Sequence, residues 1–439
     1  MRTRRALFVI LAILALAVVG RVLLPSRPAP SAPPNRAPTA AAPLTYDAAL
    51  ERATEQVEGA QQVAQSQAND WLPLERLALA WMAKARLTGD FYDYAQAQAA
   101  LDRSFARARQ DTGPHLTQAS LDLSLHRLAR AQAMLKALGG YAVPPDAGEA
   151  AEIAGMTGDI AFYRGAYDRA WKLYGGDDKA AAPGAFRRAV FLGHTGKIDA
   201  ALAALNDAER GLDFPVAQTL AGLELQRGAL ELRRGDRTRA TAHFAKAERL
   251  FPGYWLAEAH SAQMLALAGR RPEAIARMVA IAQRSGAPEV MDALAALYRA
   301  EGDYNLSKTW SDRAGAIWMR RVAEIPEAAW GHAIEHELAF GDPAQALEFA
   351  RKDYAARPYG PAVVGLAWAE IAAGRPAEAL RVLQALDAGP YVSADRHVAA
   401  AQAYLLLGQD AAAEAERKKA LALNPHSLDR DSGLIWFGH

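Results

Sequence analysis

The sequence predicts an all-α solenoid of about ten helical hairpins, and two regularities carry this prediction. Turn glycines recur 31 to 39 residues apart, and a small side chain follows each of them by about five residues. A period of this length is typical of helical repeats, each of which buries its apolar face against its neighbours. The glycines are Gly165, Gly196, Gly235, Gly269, Gly302, Gly341, Gly374 and Gly408, and the small residues are Ala170, Ala201, Ala240, Ala274, Ser307, Ala346, Ala379 and Ala413.

One complete unit runs from Gly222 to Pro252. Leucines recur near helical spacing before the turn at Gly235, and apolar residues then share one face of a second helix. Such a hairpin must stack on others like itself, because it cannot bury this face alone. The apolar residues are Leu223, Leu225, Leu230 and Leu232 in the first half, and Ala240, Phe244 and Ala247 in the second.

The period, the turns and the small residues resemble the tetratricopeptide repeat, and Trp330 fills the tryptophan position that opens its signature. The resemblance implies a right-handed superhelical solenoid that binds protein partners and is not an enzyme. The repeats cover residues 71–426, after a capping helix over residues 46–70. The first units are irregular, since His126 stands where a turn glycine is expected.

An apolar run extends without interruption from Ala6 to Gly20, after three arginines, and continues past Arg21 to Leu24. The pattern indicates that residues 1–24 are either a single membrane anchor or a cleaved signal peptide. The run is short against the ~20 residues of a membrane span, which keeps the signal peptide open. The lack of a clear small-x-small cleavage site after Gly20 favours the anchor.

A Pro-rich segment over residues 25–45 follows this run and is typical of an extended spacer. The arginines before the run favour the cytoplasmic side of the membrane. We therefore expect the solenoid on the extracytoplasmic side of the cytoplasmic (inner) membrane. Cleavage of a signal peptide would instead release it to the periplasm.

Composition and charge exclude several classes of site. The chain has no cysteine, which excludes disulfides and thiolate metal sites. Its formal net charge is +1, and six arginines without any acidic residue in the first 43 residues leave −5 on the remainder. A mildly acidic body lacks the basic stripe that neutralises phosphates, so we expect no nucleic-acid partner.

One motif is compatible with an enzyme. His332, Glu335 and His336 fit H-x-x-E-H, in which two histidines one helical turn apart bind zinc and the glutamate acts as general base. The motif lies in a predicted repeat helix, in phase with Gly341 and Ala346. We therefore favour a structural role without metal or cofactor, in which His336→Ala changes stability little, and a zinc metallopeptidase is the alternative.

The resemblance also implies a binding groove, because the first helix of each tetratricopeptide hairpin lines the concave surface. Residues at the matching positions are largely apolar, which suits an amphipathic helix or an extended hydrophobic peptide. Packing between adjacent repeats is the alternative role for these side chains. The predicted partner-binding residues are Phe162, Tyr163, Phe186, Leu225, Leu232, Leu256, Val364, Trp368, Ile371 and Leu405.

A C-terminal tail over residues 427–439 follows the last repeat. It carries four apolar residues together, which either cover the exposed face of the final hairpin or dock on a partner. They are Leu434, Ile435, Trp436 and Phe437. The whole sequence predicts a non-catalytic scaffold, tethered through residues 6–24, that assembles a protein complex in the cell envelope; the partner's identity stays open.

Overall fold

A computed structural model describes residues 44–109, 111–176, 184–212 and 215–436. The predicted anchor, and the predicted spacer up to residue 43, lie outside these residues, as does Phe437. Within the described ranges, no helix combines the length and the apolar character needed to cross a membrane.

The described residues form twenty-one α-helices and no β-strand, which confirms the predicted all-α solenoid. Helix α1 precedes ten consecutive antiparallel helix pairs, here called hairpins 1 to 10. Helix α1 is Tyr46–Ser66. The hairpins are α2–α3 (Leu72–Thr88, Phe91–Phe105), α4–α5 (His115–Ser124, Leu128–Ala137), α6–α7 (Ala147–Tyr163, Tyr167–Leu173), α8–α9 (Ala185–His194, Ile198–Arg210), α10–α11 (Ala217–Arg233, Arg237–Leu250), α12–α13 (Trp255–Leu267, Arg271–Ser285), α14–α15 (Pro288–Glu301, Tyr304–Glu324), α16–α17 (Pro326–Ala339, Pro343–Ala356), α18–α19 (Gly360–Ala372, Pro376–Gln384) and α20–α21 (Ala394–Leu406, Asp410–Leu423).

The predicted turns lie between the two helices of each hairpin. Seven of the eight glycines adopt positive φ, for example 86° at Gly235, a conformation that costs other residues free energy. His126 takes the same conformation, with φ of 58°, at the turn of hairpin 2. Gly341 is needed for another reason, since a side chain there would collide with the carboxylate of Glu337, which accepts a hydrogen bond from the amide of Asp342 (2.7 Å).

The small residues after the turns lie where two helices cross. All eight are buried, and Ala240 and Ala346 have no exposed surface at all. Ala97 and Ala131 occupy the same position in the two irregular hairpins and are equally buried. The periodic small residue thus permits close approach of the helices in every hairpin.

The turn of a hairpin also contacts the start of the hairpin six positions later. The Arg127 side chain at turn 2 pairs with Glu327, the first acidic residue of hairpin 8 (3.7 Å). At turn 3 the Tyr167 hydroxyl accepts a hydrogen bond from the amide of Gly360, where hairpin 9 begins (2.7 Å). These contacts, here called the seam, join successive turns of the superhelix.

The seam continues along the molecule beyond hairpin 3. The carbonyl of His194 at turn 4 accepts from the amide of Val392, just before hairpin 10 (2.9 Å). The carbonyl of Leu232 near turn 5 accepts from the side chain of Asn424, just after that hairpin (3.3 Å). The N-terminal and C-terminal halves of the array therefore pack against each other.

The described part of the tail, residues 427–436, does not pack mainly on the final hairpin. Residues 427–436 instead lie against α12 and α14, and Leu434 and Trp436 are buried there in the largest hydrophobic cluster. The seam accounts for this course, because Asn424 is held at turn 5 and directs the chain over hairpins 5 to 8 rather than back over α20 and α21.

Candidate partner-binding surfaces

Most of the predicted groove residues are side chains of the solenoid interior. Phe162, Tyr163, Leu225, Leu232, Val364 and Trp368 are buried, at 4% exposure or less. Phe186, Leu256 and Ile371 are half-buried. Leu405 is the exposed member of the set, at 44%. Their role in partner binding stays a prediction.

The structure divides this set among separate clusters. Five of its members, from hairpins 3 and 9, pack in one cluster; three from hairpins 5 and 6 pack in a second; and Phe186 packs in a third. The rings of Tyr163 and Tyr359 lie 5.1 Å apart across the seam, and those of Phe162 and Tyr359 lie 6.1 Å apart. Some of the side chains that the sequence predicts on one concave face are thus buried in contacts between superhelical turns.

Hairpin 10 exposes three consecutive leucines. Leu405, Leu406 and Leu407 are 44%, 47% and 38% exposed, at the end of α20 and in the turn after it. Residues 427–436 of the tail pack on other hairpins, and within the described residues these leucines stay exposed. A run of exposed apolar residues is unfavourable in water unless it contacts something else, so this leucine patch is a candidate interface.

The H-x-x-E-H residues pack within the solenoid. In α16, His336 shares a hydrogen bond with Asp292 of α14 (Nδ1 to Oδ1, 2.7 Å), and the indole of Trp318 donates to the other oxygen of Asp292 (2.8 Å). Burial alone would lower the pKa of His336, but the hydrogen bond and the negative charge of Asp292 outweigh it and raise that pKa. His332 contacts Glu335 at 3.3 Å and stacks on Trp318.

These contacts give each motif residue a packing role. Among the described residues, no group of three histidine, aspartate or glutamate side chains is arranged to hold a metal ion. The motif lies in the first helix of hairpin 8, where the repeat period places it.

A cavity of about 690 Å³ opens where α1 and turn 1 meet hairpins 6 and 7. Tyr46, Phe91, Trp255 and three arginines are among the side chains that line it. One of them, Arg321, lies over the ring of Phe91 (4.6 Å) and donates to the carbonyl of Gly89 (3.3 Å). The repeat pattern gives no signal for this cavity, because its walls come from opposite halves of the chain.

The chain has only limited similarity to known proteins. No protein-family model and no curated protein matches the chain. A tetratricopeptide repeat protein from Parabacteroides merdae ATCC 43184 is 15% identical over 58% of this chain and 97% of its own, with a TM-score of 0.35. The APC/C hetero-tetramer Cut9-Hcn1 is 13% identical over 88% of this chain and 93% of the matched chain, with a TM-score of 0.34. The description of this chain as a helical-repeat solenoid therefore rests on its own ten hairpins.

Proposed function

We propose that this protein is a non-catalytic scaffold that binds a protein partner through the leucine patch of hairpin 10 and is tethered to a membrane through residues 6–24. The observation that carries the proposal is the exposure of Leu405, Leu406 and Leu407 in one run. Burying such side chains at an interface stabilises a complex by roughly 25 cal/mol per Å² of apolar surface removed from water, which favours binding of a partner there. Leu405 also belongs to the predicted groove.

The tether is supported by the sequence. The apolar run from Ala6 to Leu24 follows three arginines and precedes a Pro-rich spacer. That order supports an extracytoplasmic position of the solenoid in the cell envelope. Fractionation with alkaline carbonate tests this part: the full chain should stay with the membrane pellet, and a chain lacking residues 6–24 should not. Release of the full chain from the pellet would remove the tether from the proposal.

The interface is tested by site-specific photo-crosslinking in intact cells. A photoreactive amino acid replaces Leu405 or Leu406 in two separate variants, and Lys418, an exposed residue of the second helix, in a matched control. We expect a covalent adduct with one partner at both leucine positions and none at Lys418. No adduct at the leucines, or equal adducts at all three positions, would contradict binding through this patch.

A further inference from the structure

The tail lies on the solenoid in the manner of a bound peptide. Only Leu434 and Trp436 of residues 427–436 are buried, and the other tail residues keep part of their surface exposed. A short segment held by two buried side chains, with a solvated remainder, is the usual form of a linear motif on its receptor.

Trp436 is the deeper anchor. Its ring stacks on Phe340 of hairpin 8, with centroids 5.8 Å apart and planes at 13°. Its backbone amide donates to the side-chain oxygen of Gln263 (2.6 Å), a residue of α12 with no exposed surface. The solenoid thus contacts both the side chain and the backbone at this position.

Two arginines contact the acidic part of the tail. Arg237 at the start of α11 pairs with Asp429 (3.2 Å), and Arg271 at the start of α13 pairs with Asp431 (2.7 Å). Arg271 also pairs with Glu301 of α14 (3.0 Å), which fixes its position. The two arginines come from successive hairpins and contact carboxylates two residues apart, at the start of a 3₁₀ turn over Arg430–Leu434.

We propose that this surface, here called the tail seat, is a docking site for an acidic peptide segment with a Leu-x-Trp anchor, which the tail occupies in cis and a partner of the same chemistry displaces. A tethered segment competes at an effective concentration in the millimolar range, so occupation by a partner requires higher affinity or prior release of the tail. The tail seat lies on hairpins 5 to 8, separate from the leucine patch of hairpin 10. The inference therefore goes beyond the proposed function.

The test uses the full-length chain and a labelled peptide of residues 426–436. Trp436→Ala removes the anchor from the tail and should free the tail seat. We expect the peptide to bind this variant in saturable fluorescence anisotropy, and to bind the wild-type chain at least roughly tenfold more weakly because its own tail competes. A peptide carrying the same alanine should not bind. Absence of saturable binding, or equal affinity for both chains, would overturn the proposal.

A charge reversal distinguishes specific docking of the peptide through its ion pairs from non-specific apolar binding. Arg237→Asp in the Trp436→Ala chain should weaken the normal peptide, and a peptide with Asp429→Arg should recover the lost affinity on that chain. If the reversed peptide gains nothing, the ion pairs do not position the ligand and the proposal fails. A second full-length variant, with Asp429→Arg and Asp431→Arg, loosens the tail without creating a cavity and should bind the normal peptide as the Trp436→Ala chain does.

Discussion

The imidazole of His260 lies parallel to the ring of Phe244, with centroids 4.4 Å apart and planes at 19°. His332 and Trp318 form the same arrangement, at 5.1 Å and 19°. Both histidines lie nine residues before the glycine of their turn, and both aromatic partners lie in the second helix of the preceding hairpin. The repeat therefore uses a histidine at this position as a flat packing group between neighbouring hairpins.

The burial of His260 predicts a loss of stability in mild acid. Burial lowers its pKa to about 3, whereas the unfolded chain takes up the proton near pH 6.5. The free energy of unfolding should be insensitive to His260 above pH 6.5 and should fall by about 1.4 kcal/mol per pH unit below it. Chemical denaturation at pH 7.5 and pH 5.5 measures the difference. His260→Gln should reduce the fall by about that amount, and an unchanged fall would contradict the prediction.

Ala346→Leu should destabilise the protein, because Ala346 is fully buried where the helices of hairpin 8 approach. Overpacking of this kind costs about 1–3 kcal/mol. Thermal melting checks the effect, with Ala344→Leu as a matched control on the exposed side of the same helix. Equal melting temperatures for both variants would show that the assigned repeat phase is wrong.

His336→Ala tests the H-x-x-E-H motif. The contact of His336 with Asp292 predicts a larger effect on stability than the sequence alone does, about 1–3 kcal/mol, because a buried acceptor loses a partner. Purified wild-type protein should contain no stoichiometric zinc by elemental analysis. One equivalent of tightly bound zinc that disappears in His336→Ala would restore the metallopeptidase alternative.

Tyr167→Phe tests the seam. The substitution leaves the buried amide of Gly360 without its acceptor, so the free energy of unfolding should fall by about 1–3 kcal/mol. Tyr304→Phe is the control, because Tyr304 is 69% exposed. If both variants melt at the wild-type temperature, the contact between hairpins 3 and 9 does not stabilise the fold.

Trp368→Ala separates the two roles that the sequence allows for Trp368. The residue is 4% exposed, and truncation of a buried tryptophan typically costs about 3–5 kcal/mol. We therefore expect a large drop in melting temperature, against a small one for Tyr92→Ala at a residue that is 60% exposed. Normal melting together with lost partner binding would instead make Trp368 a groove residue.

The sequence predicts the hairpins well because their signals are local. The positive φ of the turn requires a glycine at Gly235, and the close approach of the opposite helix requires a small side chain at Ala240. Both requirements arise within one hairpin, so the same residue types recur in each repeat. Even the substitution of His126 for glycine leaves the turn recognisable, because the helices on either side keep their phase.

The partly buried groove could not be foreseen in the same way. Whether Val364 and Trp368 face solvent depends on the pitch of the superhelix. That pitch is the sum of small rotations between hairpins over six units, and no local sequence pattern indicates it. The sole sequence signal is that α18 is apolar around its whole circumference, and eleven consecutive residues from Gly360 to Glu370 are indeed buried. The packing position of Trp436 could not be predicted from the sequence for the same reason, since its contacts Gln263 and Phe340 lie far away in the chain.

The seam limits the gain or loss of repeat units in this protein. Most solenoids gain or lose units freely, because each unit touches only its neighbours and stability is nearly additive along the array. Here the loss of one unit between Tyr167 and Gly360 would move every later partner out of register, so that each turn would face the wrong segment. The number of units is therefore fixed by closure, much as strand number is fixed in a closed barrel, and insertions should be tolerated in loops away from the seam rather than as added hairpins.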